Sequence, residues 1–130
     1  ALCVSQKESM QALRCSFVQG QSQPLLRGAS SKVMLAYLPA PRCEKILRYF
    51  GEDHQMEKWQ TELEKIRRNG YAVSTSEIDP GVSGISAPVM KGSKLIGAIS
   101  VMAPAHRVET NKQRIILHVL QAARALPPER

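Results

Sequence analysis

Apolar and polar positions follow two rhythms along this chain, and the change from one to the other marks out its elements. Met56, Trp59, Leu63 and Ile66 recur at three- and four-residue spacing, which predicts an amphipathic helix. Its opposite face carries Glu57, Lys58, Glu62, Lys65 and Arg68, and Glu64 stands four residues before Arg68 in the favourable order. Asn69-Gly70 can stop that helix, because glycine accepts the left-handed conformation a helix end commonly needs. Beyond Gly70 the rhythm shortens to two. A strand follows Gly70, Asp79-Pro80-Gly81 makes a turn, and two further strand-like runs are joined through Lys91-Gly92-Ser93-Lys94 as a hairpin.

The flanking segments complete the order. Leu2 to Gln6 and Ala12 to Gln19 read as strands, with a polar turn between them and a loop over Gly20 to Pro24. Ala29 to Leu38 reads as a helix stopped by Pro39. Pro41 suits the first turn of a second short helix, Arg42 to Tyr49, that ends near Gly51. Thr110-x-x-Gln113 has the form of a capping box that opens a last helix, with Ile116, Val119, Leu120 and Ala123 on one side. Paired strands, then helices, then hairpin-joined strands and a helix predict an α+β fold with a mainly antiparallel sheet. At 130 residues the chain is one domain, residues 1–130, large enough for a core.

What the strands carry is unusual. Gly84, Ser86, Gly97, Ala98 and Ser100 are small where large core residues would be expected. Alternate residues of a strand share a face, so Val82, Gly84 and Ser86 point one way while Ser83, Ile85 and Ala87 point the other. After Lys94, the residues Ile96, Ala98, Ser100 and Met102 share a face. Small residues on one parity leave room either for a ligand or for a closely packed helix, and the pattern alone fits both.

Charge alters this picture little. The net charge of +7 invites a nucleic-acid partner, but lysine and arginine are spread through every segment, and aromatics are only 5% of the chain. A solvated basic surface accounts for the same numbers. No apolar run approaches the roughly 20 residues that cross a bilayer. Three cysteines, Cys3, Cys15 and Cys43, with no C-x-x-C, point to reduced thiols and a cytoplasmic location.

Catalytic patterns are weak. His54, His106 and His118 have no metal-ligand spacing, and no metal or cofactor is expected. Gly81-Val82-Ser83-Gly84 superficially resembles a nucleophile elbow, but strand rather than helix follows it. Cys15 lies on a strand where it can line a pocket; as a nucleophile it would need a depressed pKa. The start of the helix at Gly28-Ala29-Ser30-Ser31 is different in kind. Its first-turn N–H groups and dipole favour an anion, although a serine that merely caps the helix explains the same residues.

The order R-x-x-G-Y, P-G-V, A-P-V, hairpin and A-I-S-V-x-x-P between Arg67 and Pro104 resembles the effector-binding half of the IclR family of bacterial transcriptional regulators. The likeness extends upstream to Pro24-Leu25-Leu26-Arg27-Gly28-Ala29-Ser30-Ser31-Lys32 and downstream through the last helix. Arg27 and Ser31 stand where small residues are usual, and the Gly92-Ser93 turn is shorter than is common. The resemblance implies a GAF/PAS-like sheet with helices on both sides and a pocket on one face. It matches Ser74, Val82, Gly84, Ser100 and Met102 to effector-contacting positions, and Ala29 and Ser30 to backbone amides that hold a carboxylate. Ser74 is neutral where members that read small keto acids tend to be acidic, so the identity of the effector does not carry over.

What the resemblance implies about function is a sensor and not an enzyme. A small carboxylic acid would bind here and control, allosterically, DNA binding by a winged helix-turn-helix domain that lies N-terminal to these residues. DNA would be touched only through that domain, no membrane is involved, and the chain would act as a homodimer or homotetramer. The alternative is a GAF/PAS-like oligomerisation module without a ligand, its pocket filled by Met90 and Met102.

Overall fold

A computed structural model describes residues 27–76 and 80–126. The two strands expected before Gly20, and Cys15 with them, lie outside the described residues. Four helices and three strands follow in the order α1 (Ala29–Tyr37), α2 (Ala40–Tyr49), α3 (Met56–Asn69), β1 (Ala72–Thr75), β2 (Val82–Lys91), β3 (Lys94–Pro104) and α4 (Ala105–Ala125). A single 3-10 turn at Asp53–Gln55 leads into α3. The fold is α+β, as the sequence predicts.

The strands form an antiparallel sheet in the order β1-β2-β3. Ser74 pairs with Gly84 and Gly84 with Met102, while Ala72 pairs with Ser86 and Ser86 with Ser100. Helices cover both faces. On one face Ala29, Val33, Leu35 and Ala36 of α1 share a core with Leu47 of α2, with Trp59, Leu63 and Ile66 of α3, and with Ala72 of the sheet. On the other, Ile85, Ala87 and Val89 of β2 meet Val108, Ile116, Val119 and Ala123 of α4. One parity of β2, Ile85, Ala87 and Val89, thus enters the α4 core, while Gly84 on the other faces Ala29 of α1.

Local chemistry explains most of the boundaries. Gly70 ends α3 at φ 84°, with its N–H on the Ile66 carbonyl, as the Asn69-Gly70 pair predicts. Glu64 and Arg68 lie 3.7 Å apart on the outer face of that helix. Pro41 sits in the first turn of α2, where a missing N–H removes no helical bond. Pro88 lies inside β2 opposite Ala98 of β3, past Ser86 where pairing with β1 stops, so among the described residues the strand has a neighbour there on one side alone.

Two expectations are corrected. Helix α4 opens at Ala105, before the Thr110 capping box, and the Ala105 N–H donates to the Gly81 carbonyl at 2.7 Å. Thr110 does not cap. Its Oγ1 donates back to the His106 carbonyl, Asn111 Nδ2 donates to the Arg107 carbonyl, and Asn111 breaks the helical dihedrals at φ −115° and ψ 17°. The polar pair therefore marks a kink where the sequence pattern predicts a start. The second correction concerns β3. Met90 pairs with Leu95 while Val89 pairs with Gly97, so Ile96 is bulged out of the ladder. It is half exposed and supplies no wall to the face that carries Ser100 and Met102.

Candidate functional site

Three strands and one helix end meet at Gly84. A Cβ built on Gly84 would stand 3.3 Å from Ser74 Oγ, 3.7 Å from Ala29 Cβ and 3.7 Å from Met102 Cγ. Four of the residues singled out in the sequence, Ala29, Ser74, Gly84 and Met102, are thereby one cluster. The register explains why: Ser74, Gly84 and Met102 are directly opposite across the three strands, and Ala29 is the first residue of the helix packed on that face. Gly84 itself is fully buried, so its missing side chain is what lets the helix start and the two flanking side chains approach.

The polar atoms of the cluster differ in how they are satisfied. Ser86 Oγ and Ser100 Oγ bond to each other at 2.6 Å, and Ser86 is completely buried. The two hydroxyls are thus engaged with one another. Ser74 is 8% exposed, and its hydroxyl has no hydrogen-bond partner among the described residues. It lies 3.3 Å from where a Cβ on Gly84 would stand. Val82 is half-buried, one alternation beyond Gly84, and pairs with Pro104.

The start of α1 adds a fixed partial charge. Its N-cap is Gly28, at φ 87°, which has no side chain to cap the helix, and no acidic residue occupies the first turn. Ala29 is buried and Ser30 half-buried there. This nine-residue helix begins beside Gly84, so the positive end of its dipole lies at the cluster. Ser31 is wholly buried. The cluster thus combines neutral hydroxyls, small apolar groups and a helix start, and none of Ala29, Ser30, Ser74, Val82, Gly84, Ser100 or Met102 titrates near neutral pH.

Other candidates fall elsewhere. His54 is exposed in the 3-10 turn and His106 and His118 are exposed on α4, and among the described residues no group of histidine, cysteine and acid is arranged to hold a metal. Met102 is not among the residues that line the cleft at Met90. Met90 lines a separate cleft of about 320 Å³ with Gly70, Ala87, Pro88, Leu120, Ala123, Arg124 and Leu126, on the α4 side of the sheet. What sequence reasoning left out was the Ser86–Ser100 pairing; the signal available for it was their shared face, one alternation from Gly84.

These features belong to a regulatory family. The model for the bacterial transcriptional regulator IclR C-terminal domain matches residues 1–127, and the chain belongs to that family. A solved C-terminal domain of a transcriptional regulator from Vibrio cholerae is 91% identical, with a TM-score of 0.91 over 96% of this chain and 77% of that one. An IclR transcriptional regulator from Alicyclobacillus acidocaldarius shares the fold, with a TM-score of 0.77 at 23% identity over 94% of this chain and 52% of that one. In sequence, the HTH-type transcriptional regulator KipR of Bacillus subtilis is 28% identical over 105 residues. That match spans 75% of this chain but only 42% of KipR. The relatives are regulators of transcription, not enzymes. Among the described residues, no helix is long and apolar enough to cross a membrane.

Proposed function

We propose that these 130 residues form the effector-binding domain of a cytoplasmic transcription factor, and that a small organic acid binds at the Gly84 cluster. The observation that carries this reading is Ser74, a buried residue whose hydroxyl has no partner among the described residues and is not sealed from solvent, beside a glycine whose Cβ would crowd it. A hydroxyl in that position gains a hydrogen bond when a ligand arrives. The start of α1 favours the carboxylate end of such a ligand, and Met102 and Val82 favour an apolar body. Cys15 remains a candidate lining residue. No cofactor is required.

The response is allosteric and breaks no bond. Effector binding shifts the population of domain arrangements, and with it the spacing of winged helix-turn-helix domains N-terminal to these residues in a homodimer or homotetramer. Only a difference in affinity between two arrangements can do this. DNA is reached through those domains.

The test is a thermal-shift screen against keto acids and aromatic acids, followed by calorimetric titration of any hit. A melting temperature that rises with ligand concentration is the expected outcome. Ser100→Phe should then abolish the shift, in a variant whose circular dichroism spectrum shows that it folds despite losing the bond to Ser86. Unchanged affinity in Ser100→Phe rejects this site, and a folded domain that responds to no acid favours a ligand-free oligomerisation module.

A further inference from the structure

Tyr49 and Phe50 close α2 with their rings turned outward. Tyr49 is 83% exposed and Phe50 45%, and the rings meet edge to face with centroids 5.1 Å apart. The inner face of the same helix, Cys43 and Leu47, is already seated in the core, so these aromatics are surplus to it. Exposed aromatic pairs of this kind are the side chains that anchor protein interfaces, since each buries a large area at little entropic cost. They are bracketed by opposite charges. Arg48 precedes them, Asp53 follows, and Arg48 Nη1 stands 4.0 Å from Asp53 Oδ2, with both side chains more than half exposed. An exposed pair at that distance contributes little where it is, and its charges can be exchanged for better-placed ones.

Cation, two aromatics, then anion is a self-complementary order. When two copies of such a segment meet about a two-fold axis, residue i faces j and j faces i, so aromatic meets aromatic and each cation meets the other copy's anion. We propose that Tyr49 and Phe50 are the apolar centre of a self-association surface, with a second copy of this chain docked so that Arg48 faces the partner's Asp53. Arg42 and Lys45 on the same exposed side could also suit DNA phosphates, but Glu52 and Asp53 adjoin the aromatics and oppose a polyanion there. The proposal gives a location to the oligomer in the reading above; because the surface is not the Gly84 cluster, it can fail while effector binding stands.

Light scattering and sedimentation equilibrium on the 130-residue chain test it. The chain should show a mass above the monomer, and the double variant Tyr49→Ser/Phe50→Ser should weaken association roughly tenfold or more. The exposed positions leave the circular dichroism spectrum unchanged. Arg48→Asp and Asp53→Arg should each weaken association, and the two together should restore it. A mass unaffected by the aromatic substitutions overturns the proposal, as does a charge swap that fails to restore association. A strictly monomeric chain overturns it too; if that monomer binds DNA and loses binding in Arg42→Glu/Lys45→Glu, the face is a nucleic-acid surface instead.

Discussion

Ser86 and Ser100 donate and accept a single 2.6 Å hydrogen bond between their hydroxyls, directly opposite each other on β2 and β3. Ser86 has no exposure at all. Removing one partner therefore leaves the other buried and unsatisfied, which costs about 1–3 kcal/mol, whereas replacing both by apolar groups can be nearly neutral. Ser100→Ala should destabilise the domain by an amount in that range in urea melts, and Ser86→Ala/Ser100→Ala should recover most of it. A strictly additive double variant would show that the two hydroxyls do not act as a pair.

Gly84→Ala tests the crowding at the cluster. The added methyl meets Ser74 Oγ at 3.3 Å, closer than ordinary packing, and Ser74 lies on a short strand with little freedom to retreat. The expected result is a loss of about 1 kcal/mol of stability from overpacking and a larger loss of effector affinity. Ser74→Ala in the same background should return part of the stability but none of the affinity. Chemical denaturation and titration calorimetry separate the two effects.

Helices α1 and α3 are clipped together by reciprocal bonds. Arg67 Nη1 donates to the Ala36 carbonyl at 3.0 Å, and the Tyr37 hydroxyl donates to the Arg67 carbonyl at 3.3 Å. The guanidinium thus serves the negative end of α1, at the far end of that helix from the Gly84 cluster. Arg67→Ala should cost about 1 kcal/mol, and Arg67→Lys should recover only part, because a single ammonium lacks the planar fork. Thermal melts of the three proteins settle the order.

Burial pushes the Tyr37 hydroxyl and the Cys43 thiol above their usual ranges, with Arg67 opposing the shift at both. Each folded pKa is raised, so below the ordinary value both states are protonated and stability is untouched. As pH rises from about 8.5 for the thiol and about 10 for the phenol, the unfolded chain ionises first. Stability should fall from there until the folded groups also ionise. Urea midpoints measured from neutral to alkaline pH should decline beyond about pH 8.5. A thiol reagent should label Cys43 slowly until urea is added.

The sequence was most legible where one residue decides one geometry. Gly70 at the end of α3, Pro41 at the start of α2 and Gly92 in the hairpin have local causes, and each falls where expected. Trp59, Leu63 and Ile66 are buried because a helical stripe has only one way to face a core. The Gly84 cluster was legible in part, since strand parity sets the face but not the register that brings Ser74 and Met102 opposite Gly84. Ile96 went astray because a bulge adds one residue and ends simple alternation, which no local residue announces. The Ser86–Ser100 bond depends on side-chain rotamers, and the early start of α4 on a contact with Gly81, a residue more than twenty positions upstream.

The uneven flanking of β2 has a consequence for its motions. From Ser83 to Ser86 the strand is held on both sides, by β1 and by β3; from Ala87 to Lys91 the described residues hold it on the β3 side alone, with Pro88 at the transition. Amide protons report such differences as local opening free energies. The backbone around Gly84 should exchange only with global unfolding, while amides toward Lys91 exchange through small openings of the hairpin. The candidate site is thus built on the slowest-exchanging stretch of the strand, and the end near the cleft lined by Met90 and Leu120 is free to breathe without disturbing it.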